Sequence, residues 1–433
     1  MKKKGRKKRF TLVERSWILY DWANSVWATN IAAAIFPIYF ALKASDTGNA
    51  LFGYMVSTAN LIVAVLAPYL GSIGDLRGMK KKMWVMFMLI GVVFTALMGL
   101  VSTWQMMLVG FVISRIGFSG SSLFYDSFLT DVTTPERMDK VSSWGFAMGY
   151  IGGSTIPFVL SILVMILMDM SDLSYRIAIL IVPLWWALFS IPFYRHVEQV
   201  HFIEATEKPG RQAFKNMLAT FRDIMKDKAI LFFILAYFFY IDGVDTIISM
   251  ATNYGSTLGL GSIGMILALL VTQLVAVPCS ILFGNLSKKV GTLRLIAIAV
   301  GIYAFITIVG FFMGFLVDFH GMLGLALERA KSLGTILFWI LATLVGTVQG
   351  GIQALSRSFY GKLIPPERSN EYFGFLDIFG KFSCIIGPAL YALAYGVTGK
   401  ACFGVLSLIL LFLCGGLMLL LGRPHFRNVQ KAK

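Results

Sequence analysis

Charge is what this sequence has least of. Asp, Glu, Lys and Arg make up 14% of its 433 residues, against roughly 25% in a soluble domain. So few charges cannot coat a globule of this size. Cysteine is scarce too. Cys279, Cys384, Cys402 and Cys414 all fall in apolar runs with no C-x-x-C spacing, which argues against a disulfide framework or a metal site and leaves small packing residues. The four histidines lie in loops or tails, so a membrane hydrolase has no candidate base within an apolar run. Nucleotide motifs are missing. Gly259 to Gly264 fits G-x-G-x-x-G but opens an apolar run with no strand before it, and Gly396-Val-Thr-Gly-Lys400 lacks full phosphate-loop spacing. Both weigh against a dinucleotide enzyme and an ATP-driven pump. No enzyme, cofactor or metal is expected.

What is present is hydrocarbon. Apolar residues are 57% of the chain and come in tracts of about 20, the length that crosses a bilayer at 1.5 Å per residue. Run length predicts spans at 17–43, 51–74, 83–102, 105–131, 141–168 and 175–194, then at 229–255, 262–284, 294–317, 333–360, 371–398 and 402–422. The first run is about 27 residues and holds Asp21, Asn24 and Asn30. It is too long for a cleaved signal peptide and is expected to be retained. Trp17 and Trp22 are expected in the interfacial aromatic belt.

The expected organisation is a basic N-terminus (1–16), a six-helix half (17–194), a polar linker (195–228), a second six-helix half (229–422) and a tail (423–433). With the N-terminus inside, segments on that side hold 30 of the 38 Lys and Arg. Both termini and the linker are therefore expected in the cytoplasm of a cell membrane. The net charge of +16 would suggest nucleic acid on a soluble protein. Here it reads as this topological signal and as attraction to membrane lipid.

The halves repeat. Gly71-Ser-Ile-Gly-Asp-Leu-Arg-Gly78 after span 2 matches Gly284-Asn-Leu-Ser-Lys-Lys-Val-Gly291 after span 8, and Pro135-Glu-Arg137 matches Pro366-Glu-Arg368, 231 residues on. The pattern implies an all-α membrane protein of twelve transmembrane helices in two parallel, pseudo-symmetric halves.

The loop Gly71–Lys82 is similar to the signature loop of the major facilitator superfamily, G-x-x-x-D-R-x-G-R-R/K. Gly71, Asp75, Gly78 and the basic run match; Leu76 replaces the usual Arg, with Arg77 one place later, and Lys288 replaces the acid in the second copy. Tyr20-Asp-Trp-Ala-Asn-Ser-Val26, the stretch Gly350–Phe359 (GGIQALSRSF) and the stretch Ile364–Ser383 (IPPERSNEYFGFLDIFGKFS) together resemble the vacuole-effluxer-like ("unknown major facilitator") family. The resemblance implies the major facilitator fold, a cavity lined by helices 1, 4, 7 and 10, and a role for Asp75 beneath the start of helix 11 in holding an inner gate. It also suggests amino-acid efflux.

Charges within a bilayer each need a reason, because one at its centre costs about 2.5–3.5 kcal/mol on insertion scales. Asp242 and Asp245 share a face of span 7 and read as a coupling-ion or substrate-ammonium site, or as partners of Arg115. Arg115 and Ser119 in span 4 could hold a substrate carboxylate. Gln349 and Gln353 in span 10 can bond a polar solute. Asn30, nearer mid-depth on the face of span 1 opposite Asp21 and Asn24, is a candidate solute or coupling-ion residue, and Asn60 and Gln273 lie mid-span as cavity residues or interhelical bonds. Arg357 lies 231 residues after Asp126, so opposite charges at equivalent positions suggest a gate between halves; snorkelling of Arg357 is the alternative. Asp21 and Asn24 join the gate set, with Asp75, Arg77, Asp377 and Lys381, although Asp377 and Lys381 at i, i+4 also read as a local ion pair. The pattern predicts a monomeric secondary transporter for a small polar solute, coupled to protons or another ion. A lipid translocator and a non-transporting receptor or scaffold remain alternatives.

Overall fold

The computed structural model describes residues 9–431 except 45, 154 and 206–208. Among them are twelve helices long and apolar enough to cross a membrane. The first six are α1 (Leu12–Lys43), α2 (Asp46–Gly74), α3 (Met79–Leu100), α4 (Trp104–Ser127), α5 (Pro135–Leu167) and α6 (Asp172–His196). The second six are α7 (Lys228–Thr257), α8 (Ser262–Val290), α9 (Thr292–Asp318), α10 (Leu327–Leu363), α11 (Ser369–Thr398) and α12 (Ala401–Phe426).

Helix starts follow local chemistry. Thr11 and Glu14 close a capping box on α1, with Glu14 N–H donating to Thr11 Oγ1 at 3.1 Å and Thr11 N–H to Glu14 Oε2 at 2.8 Å. The two orphan donors are thus satisfied reciprocally. Asp227 caps α7 by accepting from Ala229 N–H at 2.8 Å. The repeated loops also share a turn: Gly78 has φ of 70° and Gly291 φ of 97°. A side chain rarely adopts that backbone, which accounts for glycine closing both copies of the motif. Lys80, Lys81 and Lys82 lie in the first turn of α3, so the helix begins before the apolar run does.

Two hydrophobic cores form. One runs from Trp17 to Val197 and is rich in stacked aromatics; the other is drawn from Ile224 to Phe426, joined by Ala67 and Leu123 from the first half. Trp17 belongs to the first core rather than to the interfacial belt. It is fully buried, stacks on Tyr125 at 4.4 Å, and its indole N–H donates to Tyr125 O at 2.9 Å. Trp22 packs against Trp185 and Phe189 on α6. In both cases the indole ring found an internal partner, and for Trp17 the N–H did too.

Two spans are irregular where they meet. α1 widens into a π-helical segment, Trp27–Ala34. α5 is interrupted between Gly152 and Ile156, and Gly153 packs so closely on Ser25 and Val26 that a Cβ there has no room. The linker is not simply polar: Pro209–Lys226 is a helix. It lies on the face that carries the start of α1 and the end of α12, called here the terminal face.

Candidate functional site

At the terminal face the halves are joined by three polar clusters. The central one is built on Arg357 of α10, whose side chain is 7% exposed. Its Nη1 donates to Asp126 Oδ1 on α4 at 2.7 Å and its Nη2 to Asp21 Oδ2 on α1 at 3.3 Å. Its Nε donates to Ser142 Oγ on α5 at 2.9 Å. The guanidinium also lies over the rings of Trp17, Tyr125 and Phe146, and Tyr125 O–H donates to Asp21 at 2.7 Å. Arg357 thus points inward, among two carboxylates and three aromatic faces, rather than snorkelling to the interface.

A second cluster lies at the start of α11. Asp75 Oδ1 accepts from the Asn370 amide at 2.9 Å and from its side-chain Nδ2 at 2.7 Å, while Oδ2 accepts from Glu371 N–H at 3.0 Å. These are orphan donors of a helix N-terminus, at the positive end of its dipole. Beside them Lys80 Nζ donates to Asp131 at 2.6 Å and to Ser369 Oγ at 2.9 Å. The third cluster is the counterpart at the start of α5: Asp139 there takes Lys362, Ser358 and Thr292 from the second half.

Close backbone approach completes the seal. A Cβ on Gly71 would lie 3.0 Å from the Cα of Glu371 and still closer to the Asn370 carbonyl. Gly71→Val is therefore expected to force α2 and α11 apart, at about 1–3 kcal/mol for overpacking. The distance between spin labels at exposed positions on the terminal ends of α2 and α11 would report it: a longer distance than with Gly71 is the expected result.

Above this seal, between the halves, lies a cavity of about 220 Å³. Asp126 from α4, Phe146 from α5, Tyr237 and Asp245 from α7, Gln353 and Arg357 from α10, and Asp377 from α11 line it. Asp377 also accepts from Lys381 on its own helix, so one of its oxygens serves that pair.

Other residues singled out in the sequence lie elsewhere. Asp242 is fully buried and faces α11, where both its oxygens lie 3.0 Å from Gly387 N. Pro388 supplies no N–H to the ladder of α11, and the Gly387 N–H beside it donates to Asp242 on α7. Asp242 is thus a clamp between helices, not a cavity carboxylate. Arg115 Nε donates to Asn60 Oδ1 at 2.8 Å rather than pairing with either acid of α7, and Ser119 is half-buried one turn away. Asn30 is fully buried and donates to Ser161 on α5 at 3.0 Å, so it serves the α1–α5 contact. Asn24 approaches Ser122 at 3.5 Å. Gln349 is separated from Gln353: it lines a second, apolar cavity of about 100 Å³ inside the second half.

Arg77, expected among the gate residues, lies apart from these clusters. It is 68% exposed and meets Glu204 of the linker at 2.8 Å. The linker docks there: Ile203 N–H donates to Asp75 O at 2.8 Å and His201 N–H to Asp131 Oδ1 at 2.9 Å. The same carboxylate holds the His201 imidazole above its ordinary pKa by accepting its hydrogen bond.

Sequence reasoning missed Ser142, Tyr125, Lys80, Asp139 and Lys362. A signal was available for the last: the offset of 231 that relates Asp126 to Arg357 also relates Asp131 to Lys362.

Comparison with known proteins agrees with this architecture. Residues 48–432 match the family model described as "Vacuole effluxer Atg22 like". The chain is 42% identical over 422 residues to the MFS-type transporter YxiO of Bacillus subtilis, covering 94% of both. It is 30% identical over 267 residues to autophagy-related protein 22-1 of Penicillium rubens, spanning 58% of this chain but 43% of the fungal protein. Among solved structures, the major facilitator transporter FucP, in its outward conformation, superposes with a TM-score of 0.70 at 12% identity, covering 95% of this chain and 98% of that one. The bacterial homologue of ferroportin, in an outward-facing state, gives 0.64 at 16% identity over 97% and 98%. These distant structures share the fold alone. The chain belongs to the Atg22-like family of major facilitator transporters.

Proposed function

We propose that this protein moves a small polar solute, an amino acid in the first instance, out of the cytoplasm by alternating access. The observation that carries the reading is the polar cavity between the halves, floored by the Arg357–Asp126 pair and walled by Asp245, Tyr237 and Gln353. A zwitterion fits such a lining. Its ammonium meets the Asp245 carboxylate, and its polar groups meet the Gln353 amide, which both donates and accepts. The volume of about 220 Å³ suits a small solute better than a lipid.

In this reading the terminal face is cytoplasmic, as the excess of Lys and Arg there supports, and the protein is a monomer in the cell membrane. The three clusters form the inner gate, closed in this conformation. Opening separates Arg357 from Asp126 and Asp21 while the halves rock about the cavity. Asp245 is the coupling carboxylate. Protonation there removes the charge that holds a cation, so proton binding and solute release are linked. Asp242 is not assigned this role, because its oxygens already serve Gly387.

Thermal unfolding of purified protein against the twenty amino acids and a dipeptide panel, at two pH values, tests the assignment. A ligand that binds the folded state alone raises Tm by mass action. A shift lost in Asp245→Asn is the expected outcome. A shift unchanged in that variant places the solute elsewhere, and no shift across the panel contradicts the amino-acid assignment.

A further inference from the structure

The linker helix Pro209–Lys226 carries two distinct faces. One is buried in the protein: Ala213, Thr220 and Ile224 are all shielded, packed at the ends of α2, α7 and α11. The other is turned outward. Phe214, Leu218, Phe221 and Met225 are each 51–53% exposed. Their spacing of i, i+4, i+7 and i+11 puts them on one stripe of an α-helix. Arg211, Lys215, Arg222 and Lys226 are exposed as well, and the same geometry sets all four along one edge of that stripe.

We propose that this stripe inserts into the headgroup boundary of the adjoining leaflet and that the basic edge binds anionic phospholipid. An apolar stripe with a cationic border is the arrangement of an interfacial helix. Position supports it: Gly210 sits against Tyr69, one turn from the end of α2, so the helix lies where α2 leaves the hydrocarbon. Charge complementarity selects the lipid, since clustered Lys and Arg beside a span are attracted to anionic headgroups.

The helix also holds the gate. Asp223 accepts from Arg368 Nη1 at 2.9 Å, Arg368 Nη2 donates to Asn216 O at 3.2 Å, and Thr220 lies against the same nitrogen. Arg368 stands two residues before Asn370, whose amide is held by Asp75. Lipid bound on the outer side of the linker helix therefore bears on the start of α11 through one guanidinium. The inference rests on membrane topology and not on the solute assignment.

The test uses the full chain in nanodiscs of neutral lipid, or of neutral lipid with added phosphatidylglycerol. A nitrobenzoxadiazole probe is attached at L218C, or at A219C, which lies about 100° round the helix, with the native cysteines replaced. Quenching by lipid carrying a shallow doxyl group is then measured. The L218C probe is expected to be quenched more than the A219C probe. Phosphatidylglycerol is expected to increase its quenching by about twofold, an increment lost at high salt and in R211Q/K215Q/R222Q/K226Q. The salt arm applies to the unmutated charges and stands even if that variant folds poorly. An unquenched L218C probe in both lipids overturns the membrane contact and leaves a protein partner or water over the stripe. Quenching that is equal in both lipids and insensitive to salt overturns anionic-lipid binding.

Discussion

Arg357→Gln is expected to destabilise the conformer closed at the terminal face by about 3–5 kcal/mol, the usual cost of leaving a buried charge without its partner. Two carboxylates lose their cation together. Asp126 and Asp21 both accept from Arg357, and Tyr125 remains as donor to Asp21 alone. Three aromatic faces lose the same guanidinium. In population terms the loss is at least about a hundredfold, since each 1.4 kcal/mol is tenfold. Spin labels at the terminal ends of α4 and α10 are therefore expected to show a longer distance in the variant. The double variant Arg357→Gln/Asp126→Asn should recover part of the loss, because the second change removes one stranded charge. An unchanged distance in Arg357→Gln would mean that the flanking clusters alone hold the face shut.

Asp75→Ala is expected to weaken the same closed state from the other side. The Asn370 and Glu371 amides both donate to this one carboxylate, and the site is fully shielded, with Asp75 only 1% exposed. Unsatisfied buried donors cost about 1–3 kcal/mol each, so a loss of about 2–4 kcal/mol is expected after partial relaxation. Asp75→Asn keeps one acceptor oxygen and should fall between wild type and alanine. Hydrogen exchange reads the effect directly: faster exchange over the first turn of α11, with α9 unaffected, is the predicted pattern. Uniformly faster exchange would instead mean a global loss of stability.

Much of the architecture was legible because a bilayer leaves so few choices. Run length set the spans, since an apolar tract of that length has one stable home. The Gly71–Gly78 and Gly284–Gly291 loops showed the repeat, and their closing glycines share a backbone that needs glycine. Asp126 and Arg357 stood out because a charge within a span is rare and these two occupy equivalent positions. What was not legible depends on which neighbour a helical face meets. Asp242 and Asp245 lie three residues apart, yet one reaches the broken ladder beside Pro388 and the other the cavity. That choice is made by α11, far away in sequence. Trp17 looked interfacial by depth alone, but Tyr125 of α4 and the Arg357 guanidinium of α10 cover its ring. The linker read as polar because its charges are conspicuous, whereas its apolar residues recur at helical spacing between them.

Counterflow in proteoliposomes tests the central claim most directly. Vesicles holding the purified protein are loaded with a concentrated unlabelled mixture of the twenty amino acids and diluted into buffer carrying only trace labelled amino acids. The account predicts transient accumulation of at least one labelled amino acid, abolished in Asp245→Asn and in Arg357→Gln. Folded, reconstituted protein that exchanges none of them, or an exchange that survives both substitutions, would contradict the placement of an amino-acid pathway through this cavity and gate.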